Sequence, residues 1–169
     1  PSANVAAILR GFGPLAEEWV VIGGHFDHLG RNRPGADDNA SGVAGILLLA
    51  ERMTEQYETL AERAEGANRR PILFVCFGGE ASGLAGAKHF VENMPIPAES
   101  ISLMMNFDMI GRLRDHQLML MGTETSPEIA PILEQCVPPS GLHVHAWPEG
   151  NGPSDHASFD AVGVPVLFF

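Results

Sequence analysis

The chain has 169 residues, of which 45% are hydrophobic and 18% charged, the composition of one ordinary globular domain. Its 21 acidic residues against 10 basic ones give a formal net charge of -11, which argues against nucleic acid as a partner because phosphate-backbone binding depends on clustered Lys and Arg. No apolar run approaches the roughly 20 residues of a membrane-spanning helix, so no membrane span is expected.

The chain opens at Pro1 with neither an initiator Met nor a basic and apolar leader, and is expected to be a processed product or a piece of something longer. Asn4 to Arg10 and Glu18 to His25 read as strands, joined by a turn carrying Gly11, Gly13 and Pro14. Asn39 to about Arg63 reads as a helix, with Val43, Ile46, Leu47, Ala50 and Met53 at helical spacing. After a polar loop from Glu65 to Arg70, the apolar run Pro71 to Phe77 has the character of a strand buried on both faces, and Ala85 to Asn93 gives a second helix. Ile101 to Asp108 and Gln117 to Met121 are further strands. Pro127 to Val137 is a third helix, with Ile129, Ile132, Leu133 and Cys136 facing inward. A short strand from Leu142 to Ala146, a helical turn from Ser154 to Ala161 and a strand from Val164 to Phe169 complete the chain. Cys76 and Cys136 form no CxxC pair and are expected to be buried free thiols. No repeat or linker divides residues 1–169, which are taken as a single domain.

Strands alternating with helices predict a sheet covered on both faces, with ligands at the carboxyl ends of the strands. His25, Glu80 and Asp108 fall at or just beyond such ends, and Asp38 precedes a helix. His25 lies in GGHFDHLG (Gly23 to Gly30), where Asp27 could hold the imidazole in one tautomer. GADDNASG (Gly35 to Gly42) sets two adjacent acids before an apolar helix. They are either helix caps, for which Asp38, Asn39 and Ser41 all qualify, or carboxylates awaiting a cation. FGGEASGLAG (Phe77 to Gly86) leaves Glu80 among small residues, where a desolvated carboxylate can serve as a base. NFDMIGR (Asn106 to Arg112) ends a strand on Asp108, which could equally cap a turn. His25, Asp38 and Asp108 offer the nitrogen and oxygen ligands that zinc prefers.

These segments, together with PSDHASF (Pro153 to Phe159), resemble in order the motifs of the co-catalytic zinc aminopeptidases of metallopeptidase family 28 and span nearly the whole chain. That family also holds glutamate carboxypeptidase, glutaminyl cyclase and the protease-like domain of the transferrin receptor. The resemblance implies a three-layer α/β/α fold with a mostly parallel mixed sheet, here C-terminally truncated. It implies metal ligands His25, Asp38 and Asp108, with Asp37 a non-ligand neighbour. Asp27 would orient His25 and Glu80 would be the general base in hydrolysis of a peptide or aminoacyl substrate with a free amino terminus. An extracellular or periplasmic location also follows from the resemblance alone.

Two departures stand out. The family has two consecutive acids, the second a ligand of its second zinc, but here Glu80 is followed by Ala81. Its last histidine ligand would lie beyond Phe169. One zinc site is therefore expected, with impaired activity, or else a catalytically silent domain used for binding or assembly. Self-association through the truncated edge is a further expectation. His143, His145 and His156 are weaker candidate ligands, expected to be exposed on an edge strand and a helix end; His28, His89 and His116 are weaker still.

Overall fold

The computed structural model describes residues 3–30, 32–62 and 68–169. Seven strands form one mixed sheet in the order β1-β3-β2-β4-β7-β5-β6. They are β1 (Val5–Leu9), β2 (Trp19–His25), β3 (Ile72–Phe77), β4 (Ile101–Asn106), β5 (Gln117–Met121), β6 (His143–Trp147) and β7 (Val166–Phe168). β3, β2, β4 and β7 run parallel, as do β5 and β6. β1 is antiparallel to β3, and β5 meets β7 antiparallel.

The alternation of side chains along a strand assigns the two faces. Val21, Leu73, Val75, Phe77, Met104 and Val166 point toward α2 (Ala85–Glu92) and α4 (His156–Asp160). There the rings of Phe77, Phe90 and Phe159 pack with centroids about 6 Å apart. Their neighbours Ile22, Ile72 and Phe74 point the other way, onto Ile46 and Tyr57 of α1 (Ala40–Glu62). On that same face Leu120 and Leu167 meet Ile129 of α3 (Ile129–Ser140). The result is three layers.

Register places the site. Gly23 of β2 lies opposite Val75 and Asn106, and His25 lies opposite Phe77, so β2 and β3 end level with one another and β4 stops two residues earlier. The chain segments that follow them, carrying Phe26 to Gly30, Gly78 to Glu80 and Phe107 to Asp108, therefore emerge side by side.

Several sequence expectations need correction. Leu47 is 64% exposed, because the seat of α1 on the sheet is narrow and centres on Ile46. In α3 only Ile129 is buried, with Leu133 partly covered; Ile132 and Cys136 face outward because the helix covers just the outer strands. Cys76 is only half-buried. α3 also continues through Pro138 and Pro139, whose missing N–H groups cost only the final turn, and stops where Gly141 adopts φ 71°. The end of the first helix at Arg63 and the first half of the polar loop, residues 65–67, lie outside the described residues.

Candidate metal centre

His25, at the end of β2, is buried, and its ring is oriented from behind: Nδ1 lies 3.1 Å from the carbonyl oxygen of Asp27, to which it donates. That leaves Nε2 facing the site, 3.2 Å from Asp38 Oδ1 and 3.3 Å from Asp108 Oδ1. The ligating atoms of these three residues all lie within 4.8 Å of one another. Burial alone would lower the pKa of the imidazole, but the hydrogen bond and charge of Asp108, with Asp155 and Glu80 behind it, raise it to about 9. The pocket strongly favours a positive charge at this point.

Asn39 explains how the acidic loop reaches the site. Its Oδ1 accepts from the backbone N–H of Gly42, which caps α1, and from that of Met109. Its Nδ2 donates to the carbonyls of His25 and Phe107. One buried amide thus joins the ends of β2 and β4 to the start of α1, and the capping role falls to Asn39 rather than Asp38. The neighbouring glycines are sterically required: a Cβ on Gly42 would lie 2.3 Å from both Asn39 Oδ1 and the Phe107 carbonyl, and one on Gly24 would lie 2.4 Å from that carbonyl. Asp37 does not join the cluster at His25. It accepts from the Gly111 N–H at 2.9 Å and pairs with Arg112 Nε at 2.9 Å, bracing the loop that follows Asp108. Met109, beside Asp108, sits at φ 59°, in the left-handed region.

Glu80 begins a single helical turn, Glu80–Ser82, after Gly79 at φ 78°. Its backbone N–H donates to Asp27 Oδ1 at 3.0 Å. The Asp27 carboxylate therefore holds the Glu80 segment, and its carbonyl rather than its carboxylate bonds the His25 ring; the carboxylate lies 3.6 Å from Nδ1. Burial raises the pKa of Glu80; the His25 charge opposes this, and Asp108, Asp27 and Asp38 add to it. Ala81 is exposed on the same turn.

Among the described residues no other histidine joins this group. His143 and His145 are exposed on the edge strand β6, where His145 Nε2 contacts Gln117 Oε1. His28 accepts from the Gly30 N–H and lies 2.9 Å from the Arg33 carbonyl; His89 and His116 are exposed. His156 corrects an expectation of exposure. It is fully buried, stacked on Phe168 at 4.4 Å between centroids, with burial pushing its pKa down to about 4. Asp155 beside it is also fully buried and was given no role by the sequence, although the run of small residues around it in PSDHASF hinted at tight packing.

A family model described as "Peptidase family M28" matches residues 4–169. The chain belongs to peptidase family M28. This M28 domain is 30% identical over 148 residues to leupeptin-inactivating enzyme 1 of Streptomyces exfoliatus, covering 87% of the chain and 31% of that protein. It is 33% identical over 115 residues to a "Probable zinc metalloprotease" of Pyrenophora teres f. teres, covering 64% of the chain and 22% of the relative. The solved aminopeptidase from Aneurinibacillus sp. strain AM-1 superposes with a TM-score of 0.73 at 27% identity over 98% of the chain and 38% of its own. The M28 domain thus spans less than half the length of these relatives.

Proposed function

We propose that this domain carries out metal-dependent hydrolysis of the peptide bond next to a free amino terminus, using one zinc ion held by His25, Asp38 and Asp108. The observation that carries this reading is the placement of two carboxylates within 3.3 Å of a single, tautomer-fixed imidazole nitrogen. One nitrogen and two oxygens are a donor set suited to zinc and leave a position open for substrate or water. The names of the Pyrenophora and Aneurinibacillus relatives support the metal and the activity respectively.

When bound, zinc would polarise the scissile carbonyl and make water acidic enough to lose a proton near neutral pH. Glu80 takes that proton, for which its desolvated carboxyl is suited, and returns it to the departing amine. Asp27 positions both sides of the reaction, fixing His25 through its carbonyl and Glu80 through its carboxylate. A groove of about 670 Å³ opens beside Asp108, walled by Met109, Leu113, Met121, Phe168 and Phe169. It favours an apolar side chain on the N-terminal residue, while the acidic surroundings favour its ammonium group. An extracellular or periplasmic location belongs to this reading on family grounds alone.

Ala81, where the family carries a second acid, supports a stoichiometry of one metal per chain and weak turnover. It also favours a second reading, a zinc-binding domain without catalysis. Elemental analysis combined with hydrolysis of leucyl 4-nitroanilide, with and without chelator, tests both. Zinc near one equivalent with chelator-sensitive turnover supports the first reading, and bound zinc without turnover supports the second. Two firmly bound equivalents would overturn the single-site assignment, and failure to bind zinc would overturn the metal centre.

A further inference from the structure

The segment Ser154 to Ser158 carries a row of buried polar side chains that the proposed chemistry leaves unused. Ser154, Asp155, His156 and Ser158 are all buried, and Asp155 and His156 have no exposed surface at all. Ser154 Oγ accepts from Asn106 Nδ2 at 2.9 Å, fastening this segment to β4 two residues before Asp108. His156 is stacked flat on Phe168. Among the described residues, both carboxylate oxygens of Asp155 nevertheless lack any hydrogen-bond partner. A buried carboxylate with no hydrogen-bond donor is costly for a core to hold.

The surroundings of Asp155 indicate what could compensate it. The charged groups within its electrostatic reach are His25, Glu80, Asp108 and Asp27, three acids and the imidazole of the metal centre. Burial lifts its pKa to about 7, with His25 pulling downward and the acids adding to the rise. His25 reports the same proximity from its own side, since Asp155 is among the charges that raise it. Asp155 is not one of the three residues whose ligating atoms cluster, so it stands outside the ligand set, and the Ser154–Asn106 bond holds its segment against the strand that leads to Asp108.

We propose that Asp155 is an outer-sphere carboxylate of the metal centre, a positioning residue whose buried negative charge strengthens cation binding by His25, Asp38 and Asp108 without ligating the metal. The inference rests on the single-zinc reading above. It accounts for an acid retained where both of its oxygens are buried without a partner: the charge destabilises the metal-free fold and is compensated when a divalent cation occupies the neighbouring site. Carboxylates placed outside a ligand shell typically change metal affinity by about 10- to 100-fold.

The test compares the parent chain with Asp155→Asn, which is nearly isosteric, and with Ser158→Ala, which removes another unpartnered polar group from the same row. Zinc affinity is measured by competition with a chromophoric chelator, and melting is followed in metal-free buffer. Asp155→Asn is expected to weaken zinc binding about 10- to 100-fold while raising the metal-free melting temperature; Ser158→Ala is expected to leave zinc affinity at the parent value. If Asp155→Asn does not fold, Asp155→Ser is read in its place. Parent-like zinc affinity in the Asp155 variant would overturn the proposal, as would a lower metal-free melting temperature, which would mean that the carboxyl already has a stabilising partner. An equal loss of affinity in Ser158→Ala would also overturn it, by making the effect one of packing. A parent chain that binds no zinc would remove the metal centre and this inference together, whereas the other outcomes leave the metal centre standing.

Discussion

Asn39 Nδ2 donates to the backbone carbonyl of Phe107 at 2.8 Å, so the loop that carries Asp38 is tied directly to the loop that carries Asp108. The same amide, itself buried, serves three other backbone groups; two of the four bonds are fully buried and two partly so. Asn39→Ala leaves several of these groups unsatisfied. It is expected to destabilise the fold by about 3 kcal/mol, measured by urea denaturation, and to weaken zinc binding because the two acids are no longer held in register. A variant with parent stability would show that the amide is dispensable.

Glu80→Gln removes a proton acceptor while keeping nearly the same shape. Stability and zinc content are expected to stay at parent levels, and any hydrolysis is expected to fall by about 10²- to 10⁴-fold. Initial rates on leucyl 4-nitroanilide at saturating zinc provide the measurement. A variant that keeps most of the parent rate would exclude Glu80 as the base.

The metal-free protein should lose stability as the solution becomes alkaline. The folded-state pKa of His25, about 9, lies above its ordinary value of 6.5, so the folded state holds this proton more tightly than the unfolded chain does. That contribution is fully present below about pH 6.5 and disappears as pH rises through 9, a loss of about 2 kcal/mol between pH 7 and pH 9. Asp155, raised from 3.8 to about 7, acts in the same direction at lower pH. His156, depressed to about 4, acts in the opposite sense, its contribution being present above 6.5 and lost as pH falls toward 4. Denaturation midpoints in chelator across pH 6 to 9.5 check this, and a flat or rising profile above pH 7 would contradict it. His25→Gln should flatten the alkaline slope.

Gly42→Ala tests the close approach of α1 to the strand ends. The added methyl would collide with the Phe107 carbonyl and Asn39 Oδ1 at 2.3 Å, both parts of the same bonded cluster. A loss of about 3 kcal/mol or more is expected, together with weaker zinc binding. Parent-like behaviour would mean that the start of the helix can shift freely.

Much of this arrangement was legible in the sequence because strand ends are local features. The apolar runs stop at His25, Phe77 and Asn106, and the groups with chemistry follow within three residues of each stop. The role of Asn39 was not legible: as a capping candidate it was indistinguishable from Asp38 and Ser41, and its other three bonds depend on backbone brought from Gly24 to His25 and from Phe107 to Met109. The burial of His156 likewise depends on stacking against Phe168 of a different strand, which helical periodicity over five residues cannot reveal. Ile132 and Cys136 misled because the apolar stripe of α3 is wider than the sheet beneath it. Asp27 was identified as a positioning residue, but which of its oxygens faces which partner is a matter of geometry alone.

The way in which β5 joins the sheet has a consequence for motion. Its ladder with β7 is a single pair, Met121 opposite Phe168, after which Gly122 turns the chain away and the Thr125 hydroxyl bonds both the N–H and the carbonyl of Val166. Besides the apolar packing of Leu120 and Ile129 on Leu167, the β5-α3-β6 unit is thus hydrogen-bonded to β7 through one rung and one side-chain latch, whereas β2, β3 and β4 share long ladders. Its amide protons should exchange with solvent through partial openings of lower free energy than those that expose the central strands. Because Met121 and Phe168 also wall the groove beside Asp108, such openings would widen or narrow the substrate entrance while the residues around His25 stay in place.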